Sequence, residues 1–299
     1  VFRPTSIKAI VSQEIGLAAD RSCRYKSAAQ LPVYLSVASG PGGIPVYVAC
    51  STLCFGRYPL ERALRIIDEL EFNKLDVAID ESGPHLKPSE VAADVSLAAQ
   101  RIRIGPSLSP AAISVNFDVP TSAEHESQLR AVCHLARLSN VTTVTIGAAL
   151  SDSSFEAEVC RLNHLAALTE REGVILCVES RMGTLTEFPD STVELCRRAP
   201  GIGLTLDPSH YIAGPNQGRN YDCVFPYVRH VHLRDTGRGP NMFQVRVGQG
   251  EVEYGRLITQ LARLGYNRLL TVEVQDIPDA PYQMDQEVRK LKYLLESLI

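Results

Sequence analysis

The chain has 299 residues, 45% of them hydrophobic and 21% charged, with 34 acidic against 30 basic side chains and a formal net charge of −4. This is the balance of a folded globular chain able to bury a full core, and it lacks the concentrated positive charge of a nucleic-acid or anionic-membrane binder. The longest apolar runs are strand-length, well short of the roughly 20 residues a membrane-spanning helix needs, so neither a nucleic-acid nor a membrane partner is expected.

Residues 1–43 stand apart. Five basic side chains (Arg3, Lys8, Arg21, Arg24, Lys26) face two acidic ones (Glu14, Asp20), and the stretch closes on Ser39-Gly40-Pro41-Gly42-Gly43. That closing run reads as a flexible linker. No charged segment is followed by a clean apolar one, so a secretory signal is not predicted. A poorly ordered N-terminal extension over 1–43 and a catalytic domain over 44–299 are expected.

From there strand and helix patterns alternate. Runs rich in Val, Ile, Leu and Thr fall at 45–54, 74–80, 111–118, 142–150, 174–180, 201–208, 228–235 and 268–275. Amphipathic helical stretches include 60–71, 122–140, 154–172, 254–265 and 282–299, and a short helix is expected at 221–227. Gly173 and Gly265 sit where two of these helices should stop. Eight strands alternating with helices predict an α/β fold, specifically a single-domain (β/α)8 TIM barrel. An open nucleotide-binding sheet would carry a Gly-rich loop after an early strand. Here the first strand runs into Ser51-Thr52-Leu53-Cys54-Phe55-Gly56, which is no phosphate loop.

Eight cysteines (Cys23, Cys50, Cys54, Cys133, Cys160, Cys177, Cys196, Cys223) are scattered without a C-x-x-C pair. Most lie in apolar-periodic segments, so buried reduced thiols in a cytoplasmic protein are expected rather than a disulfide framework.

Along a barrel strand, alternate residues face the axis. With Leu176 and Val178 packed outward, Glu179 points in. Leu204 and Leu206 leave Thr205 and Asp207 inward, Val231 and Leu233 leave His230 and His232, and Val272 and Val274 leave Glu273. Each of the last four strands thus sends a carboxylate or imidazole inward near its C-terminal end, where barrel enzymes hold their catalytic groups. Three converging carboxylates repel and are costly to desolvate. A divalent cation relieves both, and two Glu, one Asp and one His suit Mn²⁺, Mg²⁺, Co²⁺ or Zn²⁺. The competing reading is four separate strand-end polar groups, each solvated or paired with an Arg.

The segments Val178-Glu179-Ser180, Leu206-Asp207-Pro208-Ser209-His210, Val231-His232-Leu233-Arg234-Asp235, Val247-Gly248-Gln249-Gly250 and Thr271-Val272-Glu273-Val274, in this order and spacing, resemble the xylose isomerase-like barrel superfamily. The likeness covers roughly residues 45–299 and lies in the branch of sugar phosphate isomerases/epimerases and family 2 AP endonucleases. Its site pattern is most similar to the ketose 3-epimerases. The resemblance implies one metal ion, Mn²⁺ foremost, on Glu179, Asp207, His232 and Glu273, with Glu179 and Glu273 also the catalytic acid/base pair. It implies substrate contacts from His210 and Arg238. The chemistry it implies is proton transfer beside the carbonyl of a carbohydrate through a cis-enediolate, ending in epimerisation or aldose–ketose isomerisation. Such barrels commonly form homo-oligomers.

His85, in Gly83-Pro84-His85-Leu86-Lys87-Pro88 after strand two, lies on the catalytic side and is a further candidate for the substrate pocket. His230 is expected one layer below His232, in the core. Asp235 is a candidate to hold a ligand histidine or Arg238 in place, and Glu251 reads as a solvated charge. A nuclease of the AP endonuclease kind would need an Asp-x-His after strand seven, which Met242 to Gly248 lacks. A metal-dependent dehydratase of a polyol or keto acid could use the same metal and base. A non-catalytic sugar-binding barrel is disfavoured by the intact glutamate pair.

Overall fold

A parallel strand needs hydrogen-bonding partners on both sides, and eight of them in a ring leave no edge unpaired. In a computed structural model describing residues 46–103, 107–118, 122–239, 241–278 and 280–299, the strands are β1 (Tyr47–Ser51), β2 (Lys74–Asp80), β3 (Ser109–Asn116), β4 (Thr143–Ile146), β5 (Ile175–Glu179), β6 (Ile202–Leu206), β7 (Val228–Leu233) and β8 (Leu269–Val272). Each pairs in parallel with the next and β8 closes onto β1, so the chain is a (β/α)8 barrel. The expected extension over 1–43, with Cys23, lies outside the described residues.

The helices are α1 (Leu60–Glu69), α2 (Pro88–Ala93), α3 (Val95–Arg101), α4 (Ser122–Leu138), α5 (Phe155–Arg171), α6 (Pro189–Arg198), α7 (Pro208–Ala213), α8 (Tyr254–Arg263) and α9 (Met284–Glu296). Local chemistry sets their ends. Ser154 caps α5 by accepting from Ala157 N, Pro189 and Pro208 open α6 and α7, and Gly173 and Gly265, at φ 74° and 72°, follow α5 and α8. A 3-10 turn, Asp222–Tyr227, occupies the short helix expected at 221–227. No helix among the described residues is long and apolar enough to cross a membrane.

Strand four is shorter than its apolar run. Residues 142–150 read as one strand, yet only Thr143–Ile146 pair in the barrel. Ala149 and Leu150 instead bond the segment after β5, with Leu185 N donating to Ala149 O and Leu150 bridging Thr184. The outward residues Val144, Leu176, Leu204, Val231 and Leu270 are buried in one apolar cluster with helix residues such as Val132, Leu162, Leu195 and Leu291. Cys50, Cys54, Cys133, Cys177 and Cys196 are buried, and Cys160 and Cys223 are exposed. Burial pushes the Cys177 thiol up to about 12, which keeps it protonated and unreactive.

Two irregularities aim side chains into the barrel. The β6–β7 register skips Arg229, pairing Leu204 with Val228 and Thr205 with His230. The β2–β3 register skips Ala111 where Asp76 pairs with Ala112. Such bulges re-aim the residues around them. Arg229 fits because Gly203 faces it. A Cβ on Gly203 would stand 2.5 Å from Arg229 Cγ and 3.0 Å from Cys177 Sγ. Gly203→Ala is therefore expected to cost about 1–3 kcal/mol by overpacking, read as a lower urea midpoint at unchanged m-value.

Candidate metal centre

Glu179 is the last residue of β5, Asp207 follows β6, His232 lies within β7, and Glu273 follows β8 with its N–H donated to Leu233 O. All four therefore meet at the C-terminal mouth of the barrel. His232 is the hub. Its Nδ1 lies 2.8 Å from Glu179 Oε1 and 3.5 Å from Glu273 Oε2, and its Nε2 lies 3.1 Å from Asp76 Oδ2. The donor atoms of Glu179, His232 and Glu273 all lie within 4.8 Å of one another.

Asp207 is held differently from the other three. Its Oδ1 caps α7, accepting from Ser209 N at 2.9 Å and from Ser209 Oγ. Its Oδ2 accepts from Arg234 Nη2 at 2.7 Å, and the same nitrogen donates to Glu273 Oε1 at 2.9 Å. Arg234 is 1% exposed, with its guanidinium over the Phe243 ring at 4.9 Å. Its Nε and Nη1 are buried without a partner among the described residues.

Arg234 and Asp76 join the site without having been expected from the sequence pattern. For Arg234 the signal was available: two places after His232, it faces the same way. For Asp76 it was fainter, a lone carboxylate inside the apolar run Leu75-Asp76-Val77-Ala78-Ile79.

Burial works against every charge here, and the neighbours decide the outcome. Burial raises Asp76, yet hydrogen bonds from His230 and His232 outweigh it and hold the carboxyl below its usual range. Burial likewise opposes ionisation of Glu179, but His232 brings it down to about 2. Glu273 goes the other way. Burial pushes it up, with Glu179 and Asp207 adding to the rise, against the pull of His232 and Arg234. His232 is held well above its ordinary value, burial being outweighed by Glu273, Asp76 and Glu179.

A cavity of about 260 Å³ opens over these groups, lined among others by Glu179, His210, His232, Arg234, Phe243 and Glu273. A larger one, about 480 Å³, lies around the N-terminal ends of β1, β2, β3 and β8 and has no carboxylate in its wall. The donors, not the volume, pick the site.

His210 lines the cavity. Its Nδ1 accepts from Met182 N at 3.2 Å, which leaves Nε2–H as a donor 3.7 Å from Asp207 Oδ2. Burial lowers its pKa, so it stands as a neutral hydrogen-bond donor. Arg238 and His85 are not brought to the cavity wall. Arg238 is more than half exposed and pairs with Glu251 at 2.7 Å, while His85 is buried with Nε2 3.1 Å from Tyr58 O. Asp235 holds neither a histidine nor Arg238. Its Oδ2 accepts from Gly248 N and Gly250 N at 2.6 and 3.0 Å, which folds the loop after β7.

The residues present fit a divalent cation. Two carboxylates and an imidazole converge at the spacing one ion spans. Glu273, raised by burial first and then by Glu179 and Asp207, is a buried carboxylate whose charge a cation would stabilise.

The profile of the Xylose isomerase-like TIM barrel family matches residues 64–294, and the chain belongs to that family. No curated protein matches its sequence. Among solved structures it is similar to a Xylose isomerase-like TIM barrel protein from Mycobacterium smegmatis in complex with magnesium, at 18% identity and TM-score 0.67 over 85% of this chain and 98% of that one. The probable 3-DHS dehydratase AsbF from Bacillus anthracis superposes with 15% identity and TM-score 0.63 over 84% and 99%. An L-ribulose 3-epimerase does so with 15% identity and TM-score 0.61 over 85% and 95%. At these identities the likeness is one of fold, and it spans both an epimerase and a dehydratase.

Two predictions follow from the geometry. Arg234→Met keeps the stem but leaves Asp207 and Glu273 without their shared cation; the chelator-treated protein should lose about 3 kcal/mol in urea unfolding, part of it returned by saturating divalent metal. Burial lowers the pKa of His85 from 6.5, so the unfolded chain takes up its proton first. That depressed value makes His85 cost stability as the pH falls through about 6.5. Urea midpoints of His85→Gln should accordingly depend less on pH between about 5 and 7 than those of the wild type.

Proposed function

We propose that the chain is a metal-dependent sugar or sugar phosphate isomerase/epimerase that moves a proton on the carbon beside a carbonyl. The observation that carries this reading is the pair Glu179 and Glu273. They come from β5 and β8, and both present a carboxylate oxygen to one edge of His232 at the cavity floor. Glu179, His232 and Glu273 would hold the cation, with Asp207 Oδ2 as the fourth ligand; Mn²⁺ is the proposed ion. When bound, a divalent cation supplies Lewis-acid stabilisation of negative charge on substrate oxygens.

The chain's own groups do the rest. One glutamate takes the proton from the carbon next to the carbonyl, giving an enediolate, and the other delivers a proton to the opposite face or to the neighbouring carbon. His210 Nε2–H is a neutral donor able to orient a substrate hydroxyl. Phe243, beside both His210 and Arg234, gives the cavity an apolar wall that limits water and strengthens the charge interactions within it.

One observation favours a second reading, a dehydratase. Arg234 lines the cavity with Nε and Nη1 unpartnered, a setting in which an anionic substrate group would be gripped. The enediolate electrons could then expel the hydroxyl on the next carbon, which would leave as water after taking a proton from the other glutamate.

The test is proton exchange. Chelator-treated protein is reloaded separately with Mn²⁺, Mg²⁺, Co²⁺ or Zn²⁺ and given ketoses, aldoses and keto acids in D₂O under proton NMR. Metal-dependent loss of the signal beside the carbonyl is expected, with Glu179→Gln and Glu273→Gln slowing it by at least ~10³-fold. A product that lacks one water relative to the substrate would select the dehydratase. Failure to bind any of the four metals would overturn both readings.

A further inference from the structure

We propose that Asp76 is a positioning residue that fixes which nitrogen of His232 meets the metal, making Nδ1 the ligand atom and Nε2 the protonated one. This rests on the metal site proposed above, and adds a residue from β2, outside the four strands that carry its ligands.

An imidazole can ligate through either nitrogen, and the hydrogen bond made by the other one decides which. His232 has its two edges in different surroundings. Nδ1 faces Glu179 and Glu273. Nε2 faces Asp76 Oδ2 at 3.1 Å and Ser114 Oγ at 3.3 Å. A cation seated with Glu179 and Glu273 would displace the proton from Nδ1, whereas Asp76, a carboxylate that accepts and cannot donate, keeps the one on Nε2. Asp76 is itself fixed. Ser114 Oγ donates to its Oδ1 at 3.1 Å, and His230 Nε2 lies 2.7 Å and Thr271 Oγ1 3.4 Å from its Oδ2. The His230 ring stands edge-on to the His232 ring, centroids 4.9 Å apart and planes at 87°, which blocks rotation of His232 away from this alignment.

The group Asp76, His230 and His232 could also be read as a second metal site, since its donor atoms cluster as closely as the first set. The contacts argue against it. All three side chains are at most 1% exposed, and Asp76 Oδ2 already accepts at hydrogen-bond distance from both rings, so the group is satisfied without an ion. A carboxylate behind a metal-ligating histidine is also a recurrent arrangement, and its loss typically costs 10–100-fold in metal affinity.

Two measurements test this. In the wild-type protein loaded with Zn²⁺, long-range proton–nitrogen NMR reads the His232 tautomer directly: a proton on Nε2 is expected, and a proton on Nδ1 would overturn the proposal. In the second, metal dissociation constants are obtained by competition with a chromophoric chelator, for wild type, Asp76→Asn and His230→Gln. Asp76→Asn is expected to weaken binding 10–100-fold and to shift the visible absorption of the Co²⁺-loaded protein. His230→Gln, which removes Asp76's other ring partner, should change affinity less than threefold. Equal losses in the two variants would reduce Asp76 to a packing role and sink the idea, as would an unchanged affinity in Asp76→Asn. The tautomer measurement needs no variant, so it decides even where Asp76→Asn does not fold. A wild-type protein that binds no metal would overturn the proposed function itself, whereas metal binding with a proton on Nδ1 overturns this inference alone.

Discussion

Negative charge at the barrel mouth is the constraint around which the rest of the site is arranged. Glu179, Asp207 and Glu273 are carried to one place by three strand ends, with Asp76 one layer below them. Carboxylates at such depth must be paired, hydrogen-bonded or neutralised. His232 and Arg234 bond them directly, and they divide the task. His232 links Asp76 to Glu179 and Glu273, and Arg234 links Glu273 to Asp207. Glu273 is the carboxylate both share, and it is the one whose proton affinity rises.

The scaffold supplies each partner through an ordinary local device. Asp207 is set by its own role as N-cap of α7, with Pro208 at the first helical position. His230 and His232 face inward by the alternation of β7, and the extra residue at Arg229 is accommodated because Gly203 has no side chain. Asp235, immediately after Arg234, spends its carboxylate on the backbone of Gly248 and Gly250, pinning the loop whose Phe243 covers the arginine. Within a few residues along β7, the chain alternates between groups that build the site and groups that hold the loop above it.

This arrangement also bears on chemistry. Glu179 and Glu273, drawn to one edge of a single imidazole, differ in proton affinity, the first lowered and the second raised. The same cavity has a buried arginine, Arg234, in its wall. Structural relatives at 15% identity include both an L-ribulose 3-epimerase and a probable dehydratase, so the fold alone does not name the reaction.

The sequence by itself determined the barrel and the facing of its strand ends, because both depend on periodicity. Eight apolar runs separated by helical stretches admit few architectures, and a period of two decides which residues face the axis once the outward leucines and valines are placed. Glu179, Asp207, His232 and Glu273 were legible for that reason. What only the tertiary structure decided is who stands beside whom across the ring. Asp76 reaches His232 from 156 positions away, and a carboxylate inside one strand carries no mark of its partner on another. Arg234 was legible as inward-facing but not as the bridge between Asp207 and Glu273, since that depends on the curvature bringing β6 and β8 onto either side of β7. Arg238 and His85 stood in loops, where no period constrains direction. The fold turned one toward Glu251 and the other under Tyr58.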